Sequence, residues 1–159
     1  MQNKKEWSIA RYLRKNIKTH FEYNSSKVLN SNGGDKCSLR RPDIFFDLLT
    51  HVVIVEVDEY QHQRYNEACE CARINEIVSG IGGKSVIFIR YNPDTIKHNT
   101  KTIRIGQAKR LELLVSIVKE ELAKDYQEFI VKVVQLFYND NYEEYQQVKV
   151  EDITNLVTV

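Results

Sequence analysis

Residues 40–62 read RRPDIFFDLLTHVVIVEVDEYQH, a stretch with two apolar segments separated by a short polar one. The segments DIFFDLL and VVIVEVDEY are rich in Val, Ile and Phe, which predicts two β-strands joined by a tight turn near Thr50 and His51. A buried carboxylate is costly unless a cation or a hydrogen bond meets it. We therefore expect cationic partners for the acids of this stretch, which are Asp43, Asp47, Glu56, Asp58 and Glu59.

The segments on either side of this pair predict an α/β domain. A strand, helix, strand run implies a right-handed crossover and a parallel pair, so the sheet should be mixed and flanked by helices. We expect one domain over residues 1–159. The acidic last 20 residues match neither the helical nor the strand pattern. The predicted helices are 4–18, 63–79 and 108–124, and the further strands are 20–24, 85–91 and 129–138.

The amino-acid composition is that of a water-soluble protein and not of a membrane or disulfide-rich secreted protein. Apolar residues make up 42% and charged residues 28% of the chain, which is typical of a water-soluble domain. No apolar run approaches the length of a membrane span, and the N-terminus lacks the apolar region of a secretory signal. Three cysteines, an odd number, argue against a disulfide framework. These features predict an intracellular protein with no membrane partner.

Positive charge is concentrated at the start of the chain. Residues 1–41 contain 10 Lys and Arg against 3 Asp and Glu, although the whole chain has a net charge of only +1. A basic segment of this kind is a plausible contact surface for a polyanion, and it is also what an ordinary solvated helix face looks like. On the first interpretation, the residues that contact phosphates are Lys4, Lys5, Arg11, Arg40 and Arg41.

Several acids should converge at one end of the predicted strands. Side chains alternate along a strand, so Glu56 and Asp58 share a face about 7 Å apart. Asp43 begins the adjoining strand, and His62 follows four residues after Asp58. On a helical wheel Glu6 shares the apolar stripe of the first helix, where it could reach the site or act only as a helix-dipole partner.

Carboxylates with room for water suit Mg²⁺ or Mn²⁺ better than zinc. A metal of this kind beside a histidine can hydrolyse a phosphodiester, because the metal neutralises the phosphoryl charge and the histidine accepts a proton from water. The acid constellation therefore predicts a metal-dependent nuclease. The competing interpretation is that the acids are structural.

The pattern RRPD, twelve residues, then EVDEYQH resembles the PD-(D/E)xK nuclease superfamily. Within it, the chain is most similar to very-short-patch-repair endonucleases and to the related catalytic domains of homing endonucleases. The resemblance implies a restriction-endonuclease-like αβββαβ core and a Mg²⁺-dependent DNA endonuclease with a role in DNA repair or homing. It places Asp43 on the metal-binding aspartate, Glu56 on the second acid and His62 on the general base, and it matches Glu6 to a glutamate of the first helix.

The chain departs from that family at two points. The superfamily lysine is replaced by Asp58, which favours a histidine-assisted mechanism and makes Asp58 a possible third metal ligand. The repair enzymes hold a structural zinc after this strand, whereas EYQHQRYN has no cysteine, so no zinc is expected. The resemblance also extends to Arg73 and Arg90 as supporting residues, although Arg73 could equally form a helical ion pair with Glu70.

The remaining cysteines and histidines have simpler interpretations. Cys69 and Cys71 lie about 160° apart on a regular helix, so they cannot share a metal, and we expect Cys71 in the core and Cys69 on the surface. Cys37 follows the glycine-containing loop 30–36. We expect three histidines at surface or turn positions: His20, His51 and His98.

The sequence leaves other functions open. A catalytically inactive nucleic-acid-binding module would keep the same fold, as would a nuclease for branched, mismatched or RNA substrates. A protein-interaction domain with structural Mg²⁺ or Ca²⁺ is a further alternative. No separate recognition domain fits in 159 residues. Tight DNA specificity would therefore need a loop, a homodimer or an accessory recognition protein.

Overall fold

The computed structural model describes the backbone of residues 4–24, 41–62 and 67–157, and the side chains of residues 5–24, 41–60 and 70–157. Three sequence features lie outside these residues, namely Cys37, Arg40 and the loop 30–36. For Lys4, His62 and Cys69 only the backbone is described. Within the described ranges, no helix has the length and apolar character that crossing a membrane requires.

The architecture is α/β with a mixed sheet, as predicted. Six strands form one sheet in the order β1-β2-β3-β4-β7-β8, and β5 pairs only with β6. The parallel pairs are β3 with β4 and β4 with β7, and the other pairs are antiparallel. The elements are α1 (Lys4–Asn16), β1 (Glu22–Tyr23), β2 (Ile44–Asp47), β3 (His51–Val57), α2 (Glu67–Ile81), β4 (Ser85–Tyr91), β5 (Ile96–His98), β6 (Lys101–Ile103), α3 (Gln107–Ala123), β7 (Val131–Leu136) and β8 (Val148–Asp152).

Helices cover both faces of the sheet. Val53, Val55 and Val57 of β3 pack in one buried cluster with α1 and α3, which contribute Leu13 and Leu114. The alternate residues of β3 pack in a second cluster, which contains Ile54 of the strand and Ile77 of α2. Since strand side chains alternate, Glu56 faces α2 together with Ile54. All seven residues of β3 are buried, so its single acid lies inside the protein.

The first helix is arranged as its pattern predicts. Ala10, Leu13 and Ile17 are buried. Arg11, Lys15 and Lys18 are exposed on the opposite side, and Glu6 is half-buried. The helix ends at Asn16 instead of residue 18.

The β2–β3 connection is slightly earlier than predicted. His51 is already the first residue of β3, and the turn closes when the amide of Leu48 donates to the carbonyl of His51 at 3.0 Å. Strand β3 ends at Val57, so the predicted continuation through Tyr60 is wrong. A short 3-10 turn, Glu59–His62, follows the strand.

The glycines after α2 act as the predicted stop. Gly82 and Gly83 have φ angles of 79° and 97°, in the left-handed region that glycine adopts without a steric penalty. The helix itself continues to Ile81, beyond the predicted end at residue 79.

Three short strands were missed. The hairpin β5–β6 has only three residues in each strand, which is too short for a periodic signal. The strand β8 lies at the edge of the sheet and its residues are exposed or half-buried, so it lacks the apolar alternation of a core strand.

Two predicted side-chain environments are wrong. Cys71 is exposed, because it lies about 120° around α2 from the buried Ile77. His51 is 1% exposed, and its Nε2 lies 2.7 Å from the carbonyl oxygen of Glu121 at the end of α3. The strand assignment explains the burial of His51, since the first position of an interior strand is covered by the helix that packs on it. His20 is exposed, as predicted.

Candidate functional site

Three of the predicted site acids are buried at the carboxyl end of β3. Asp43 is 4% exposed, and Glu56 and Asp58 are 0% exposed. They belong to the ends of two strands and meet because β2 runs antiparallel to β3, which places the beginning of β2 beside the end of β3. The register pairs Ile44 with Val55, and one further step places Asp43 beside Glu56. The sequence therefore brought these acids to the same edge of the sheet.

Glu56 forms an ion pair with Arg73, whose Nη2 contacts Oε1 of the carboxylate. Both side chains are buried, with exposures of 0% for Glu56 and 5% for Arg73. Arg73 lies on the inward face of α2, four residues before Ile77. The expected cationic partner of this strand acid is therefore an arginine from the covering helix. The alternative pairing of Arg73 with Glu70 along the helix is replaced by this contact.

Arg90 is the second cation of the site. It lies on β4 directly beside Glu56 in the parallel register, and its Nη2 pairs with Glu70 of α2. Burial alone would lower the pKa of Arg90, but the negative charges of Asp58, Glu70 and Glu56 outweigh burial and raise it. Arg90 is consequently a permanent positive charge among three carboxylates.

Asp58 follows the last residue of β3 and remains fully buried. Its amide donates to the carbonyl of Tyr91 at 2.8 Å, which holds it against β4. Its Oδ2 accepts a hydrogen bond from the hydroxyl of Tyr138, which comes two residues after β7. Burial and the charge of Asp58 both raise the pKa of Tyr138, so the phenol remains a donor at neutral pH.

Asp43 is fixed to the β3 backbone. Its Oδ2 accepts a hydrogen bond from the amide of Val57 at 2.8 Å, and its carbonyl accepts one from the amide of Asn24 at 2.9 Å. Glu6 of α1 approaches the same region through Tyr23. Burial first, and then the negative charges of Glu6 and Asp43, raise the pKa of Tyr23. Glu6 therefore lies within electrostatic range of Tyr23, on the face of the sheet that α1 covers, whereas Glu56 faces α2.

The turn that contains His62 is held by the loop after β4. The amide of Tyr60 donates to Oδ2 of Asp94 at 2.8 Å, and Oδ1 of Asp94 pairs with Lys5 at 2.5 Å. Tyr60 has a φ of 57°, which is strained for a residue with a side chain. Lys5 and Asp94 thus fix a strained backbone turn immediately before His62.

The predicted phosphate contacts have different surroundings. Arg11 and Arg41 are exposed, and the guanidinium of Arg11 lies 4.6 Å from the ring centre of Trp7. Lys5 is exposed but engaged by Asp94. Arg41 is two residues before Asp43, so it is the exposed cation closest in sequence to the acid cluster.

The donor chemistry of the cluster suits a hard cation. Asp43, Glu56 and Asp58 offer carboxylate oxygens, and in each of them one oxygen is oriented by a protein donor. Metal-binding carboxylates are commonly oriented in this way by surrounding hydrogen bonds. Among the described side chains, no three His, Cys, Asp or Glu are grouped closely enough to enclose a metal ion.

Sequence reasoning missed the role of Tyr138 and did not determine the partners of the two arginines. A signal for Tyr138 was present, because residues that follow parallel strands meet at one edge of the sheet. Tyr138 follows β7 as Asp58 follows β3. The predicted strand 129–138 extended through Tyr138, which concealed its position beyond the end of the strand.

No protein-family model, curated protein or solved structure matches this chain.

Proposed function

We propose that this chain is a Mg²⁺- or Mn²⁺-dependent DNA endonuclease with a PD-(D/E)xK-like core and a histidine-assisted mechanism. The observation that carries the proposal is the convergence of separate elements on one sheet edge. Asp43 directly precedes β2 and Asp58 directly follows β3, so the two carboxylates lie at adjoining strand ends. The turn that contains His62 continues directly from Asp58.

The order of elements supports the same proposal. Helix α1, strands β1, β2 and β3, helix α2 and strand β4 follow one another in the αβββαβ order that the sequence motif implies. Glu56 lies on the third strand of that series, and Asp43 and Asp58 directly flank the second and third strands at adjoining ends. A fold supports many functions, so this correspondence is secondary to the side chains.

In the proposed reaction, the carboxylates of Asp43, Glu56 and Asp58 would move closer together than they lie in this structure to hold a metal ion, which would supply charge neutralisation at the phosphoryl group and a more acidic water. His62 accepts the proton of the attacking water. Glu6 orients that water or the imidazole of His62. Arg73 orients one oxygen of the Glu56 carboxylate, and Tyr138 orients one oxygen of Asp58.

A second function is favoured by the arginines. Arg73 and Arg90 already provide positive charge for the buried acids, so the fold is electrostatically balanced here by its own side chains. A protein with these contacts could retain the fold and the basic surface as a nucleic-acid-binding module without turnover. Cleavage separates this module from the enzyme, because both would bind polyanions.

The test is a cleavage panel with purified protein. Supercoiled, mismatched, branched and single-stranded DNA, together with RNA, would be incubated with Mg²⁺ or Mn²⁺ and with excess EDTA. We expect metal-dependent nicking or cutting of at least one DNA substrate. Binding of the same nucleic acids without metal-dependent cleavage would select the binding module, and cleavage of RNA alone would change the substrate class.

A further inference from the structure

A second basic segment lies within the otherwise acidic part of the chain. Residues 95–111 contain five Lys and Arg residues and no Asp or Glu. The segment forms the hairpin β5–β6 and the first turns of α3. Its cations are Lys97, Lys101, Arg104, Lys109 and Arg110.

The segment borders an open cleft of about 580 Å³. Its lining residues come from the hairpin, from α3, from α1, from the turn after β3 and from the segments after β4 and β7. The charged side chains that line it are Lys5, Lys97, Arg110 and Asp94. Three cations therefore face one carboxylate, which gives the cleft an excess of positive charge.

Arg110 is the buried cation of the cleft, with an exposed fraction of 5%. Its Nε donates to the carbonyl of Ile105 at 3.2 Å, and its Nη1 donates to the carbonyls of Asn92 at 3.1 Å and Asp94 at 2.8 Å. Among the described residues, no group accepts a hydrogen bond from Nη2. Carbonyl groups orient the guanidinium but do not cancel its charge, so Arg110 is available to attract an anion.

Asp94 is committed to contacts within the protein. Burial would raise the pKa of Asp94, but the bonds from Lys5 and from the amide of Tyr60 outweigh burial and lower it. Its carboxylate is therefore ionised at neutral pH and is satisfied by those two donors. Lys97 also lines the cleft and is exposed.

The hairpin is anchored, so the position of Lys97 is defined. The amide of Lys97 donates to Oδ1 of Asn139 at 2.7 Å, and its carbonyl accepts from the amide of Asp140 at 3.3 Å. His98 pairs with the Asp140 carboxylate through Nδ1. These contacts fix the backbone position from which the Lys97 side chain extends.

Two residues that line the cleft are sequence neighbours of candidate-site residues. Tyr60 lines the cleft and belongs to the turn that contains His62. Asn139 also lines it and follows Tyr138, the donor to Asp58. A nucleic-acid strand with one phosphate at the acid cluster could therefore place a nearby phosphate at Lys97 and Arg110.

We propose that this cleft binds a phosphodiester group of a nucleic-acid strand. The adjacent phosphodiester group of the same strand would lie at the acid cluster, and this second part of the inference rests on the proposed function. The ligand is a polynucleotide and not a free phosphate, because the positive charge extends past Lys97 to the exposed Arg104, which the hairpin register places on the same face, opposite Thr95. Lys101 pairs with His98 on the other face of the hairpin. The cleft contacts the sugar-phosphate backbone of the nucleic acid, so it contributes affinity but no sequence preference.

The experiment measures binding separately from cleavage. Fluorescence anisotropy in EDTA would follow labelled single-stranded and duplex oligonucleotides on wild type, on Lys97→Gln and on Lys119→Gln. Both lysines are exposed and each variant removes one positive charge, but Lys119 lies towards the far end of α3. We expect Lys97→Gln to weaken binding by roughly 3- to 10-fold and to reduce the salt slope by about 0.7–0.9, with little change for Lys119→Gln.

Each outcome decides one question. Equal affinities and slopes for the two variants, or no oligonucleotide binding at all, would overturn the inference. Competition by inorganic phosphate at concentrations equal to that of the oligonucleotide phosphates would also overturn it, in favour of a small-anion site. If binding depends on Lys97 but the protein cleaves no nucleic acid, the cleft remains a nucleic-acid-binding site and only the proposed function is wrong.

Discussion

Glu56 of β3 and Arg73 of α2 form a buried ion pair that joins the centre of the sheet to the helix that covers it. The pair explains how a strand that is buried at all seven positions can contain a carboxylate. It also means that the metal-free protein has a cation of its own at this acid. The pair is therefore part of the fold, whatever the site binds.

Removing one partner of this pair should be costly. We expect Arg73→Met to lower the free energy of unfolding by about 3–5 kcal/mol, because it leaves the Glu56 charge buried without its guanidinium. Urea denaturation in EDTA measures this effect. Adding Glu56→Gln to Arg73→Met should restore part of the stability.

A matched control is the exposed pair of Lys84 and Asp47, whose Nζ and Oδ1 lie 2.9 Å apart. Lys84→Met should cost no more than about 1 kcal/mol, since water screens this pair. Similar losses for Arg73→Met and Lys84→Met would contradict the structural role of the buried pair.

The hydroxyl of Tyr138 should stabilise the protein through Asp58. Tyr138→Phe removes the donor to a fully buried carboxylate, and we expect a loss of about 1–3 kcal/mol in urea denaturation. Tyr142→Phe provides the comparison, because Tyr142 is 57% exposed. An unchanged free energy of unfolding in Tyr138→Phe would show that the hydrogen bond to Asp58 is not formed in solution.

The main elements could be predicted because each has a strong local pattern. The helical stripe of Ala10, Leu13 and Ile17 and the continuous apolar run 85–91 specify their elements without tertiary information. The β5–β6 hairpin and β8 could not be predicted in this way. They are short, and contacts with the rest of the fold determine them, such as the bond from Asn139 to Lys97.

The position of the acids could be predicted, whereas their partners could not. Strand alternation and an antiparallel turn suffice to bring Asp43 and Glu56 together. Whether Arg73 forms its ion pair with Glu70 or with Glu56 depends on how α2 is rotated about its axis over the sheet. Helical spacing permits the pair with Glu70, and only the packing of Ile77 on the sheet turns Arg73 towards Glu56.

Lowering the pH should reduce the contribution of Glu121 to the stability of the fold. Burial would raise the pKa of Glu121, but contacts with Lys132, Tyr126 and Lys124 outweigh burial and hold it below its ordinary value. A folded pKa below the unfolded one gives stabilisation that is complete above the unfolded pKa and is lost as the pH falls through the folded pKa. The cost of Glu121→Gln should therefore be larger near pH 7 than near pH 3 in urea denaturation.

The control for this pH dependence is Glu120→Gln, because the side chain of Glu120 is 66% exposed. Glu120→Gln should have a small effect at both pH values. If the cost of Glu121→Gln is the same at neutral and acid pH, its ionised contacts do not stabilise the fold.

His62 should act as a base and not as a metal ligand. His62→Ala should lower the cleavage rate by about 10²–10⁴, the usual scale for the loss of a general base, with nearly unchanged metal affinity. A pH–rate profile and a Mn²⁺ titration measure the two properties, and His20→Ala is the surface control. Rescue of His62→Ala by excess Mn²⁺ would identify His62 as a ligand, and full activity would make Glu6 the leading candidate for the base.

The most direct test of the central claim compares two aspartates of the same strand segment. Asp43 is buried against Val57 at the acid cluster, whereas Asp47 is exposed at the other end of β2. We predict that Asp43→Asn abolishes Mg²⁺-dependent cleavage of DNA while retaining the fold by circular dichroism, and that Asp47→Asn cleaves like wild type. Undiminished cleavage by folded Asp43→Asn, or by wild type in excess EDTA, would contradict a metal-dependent nuclease at this site.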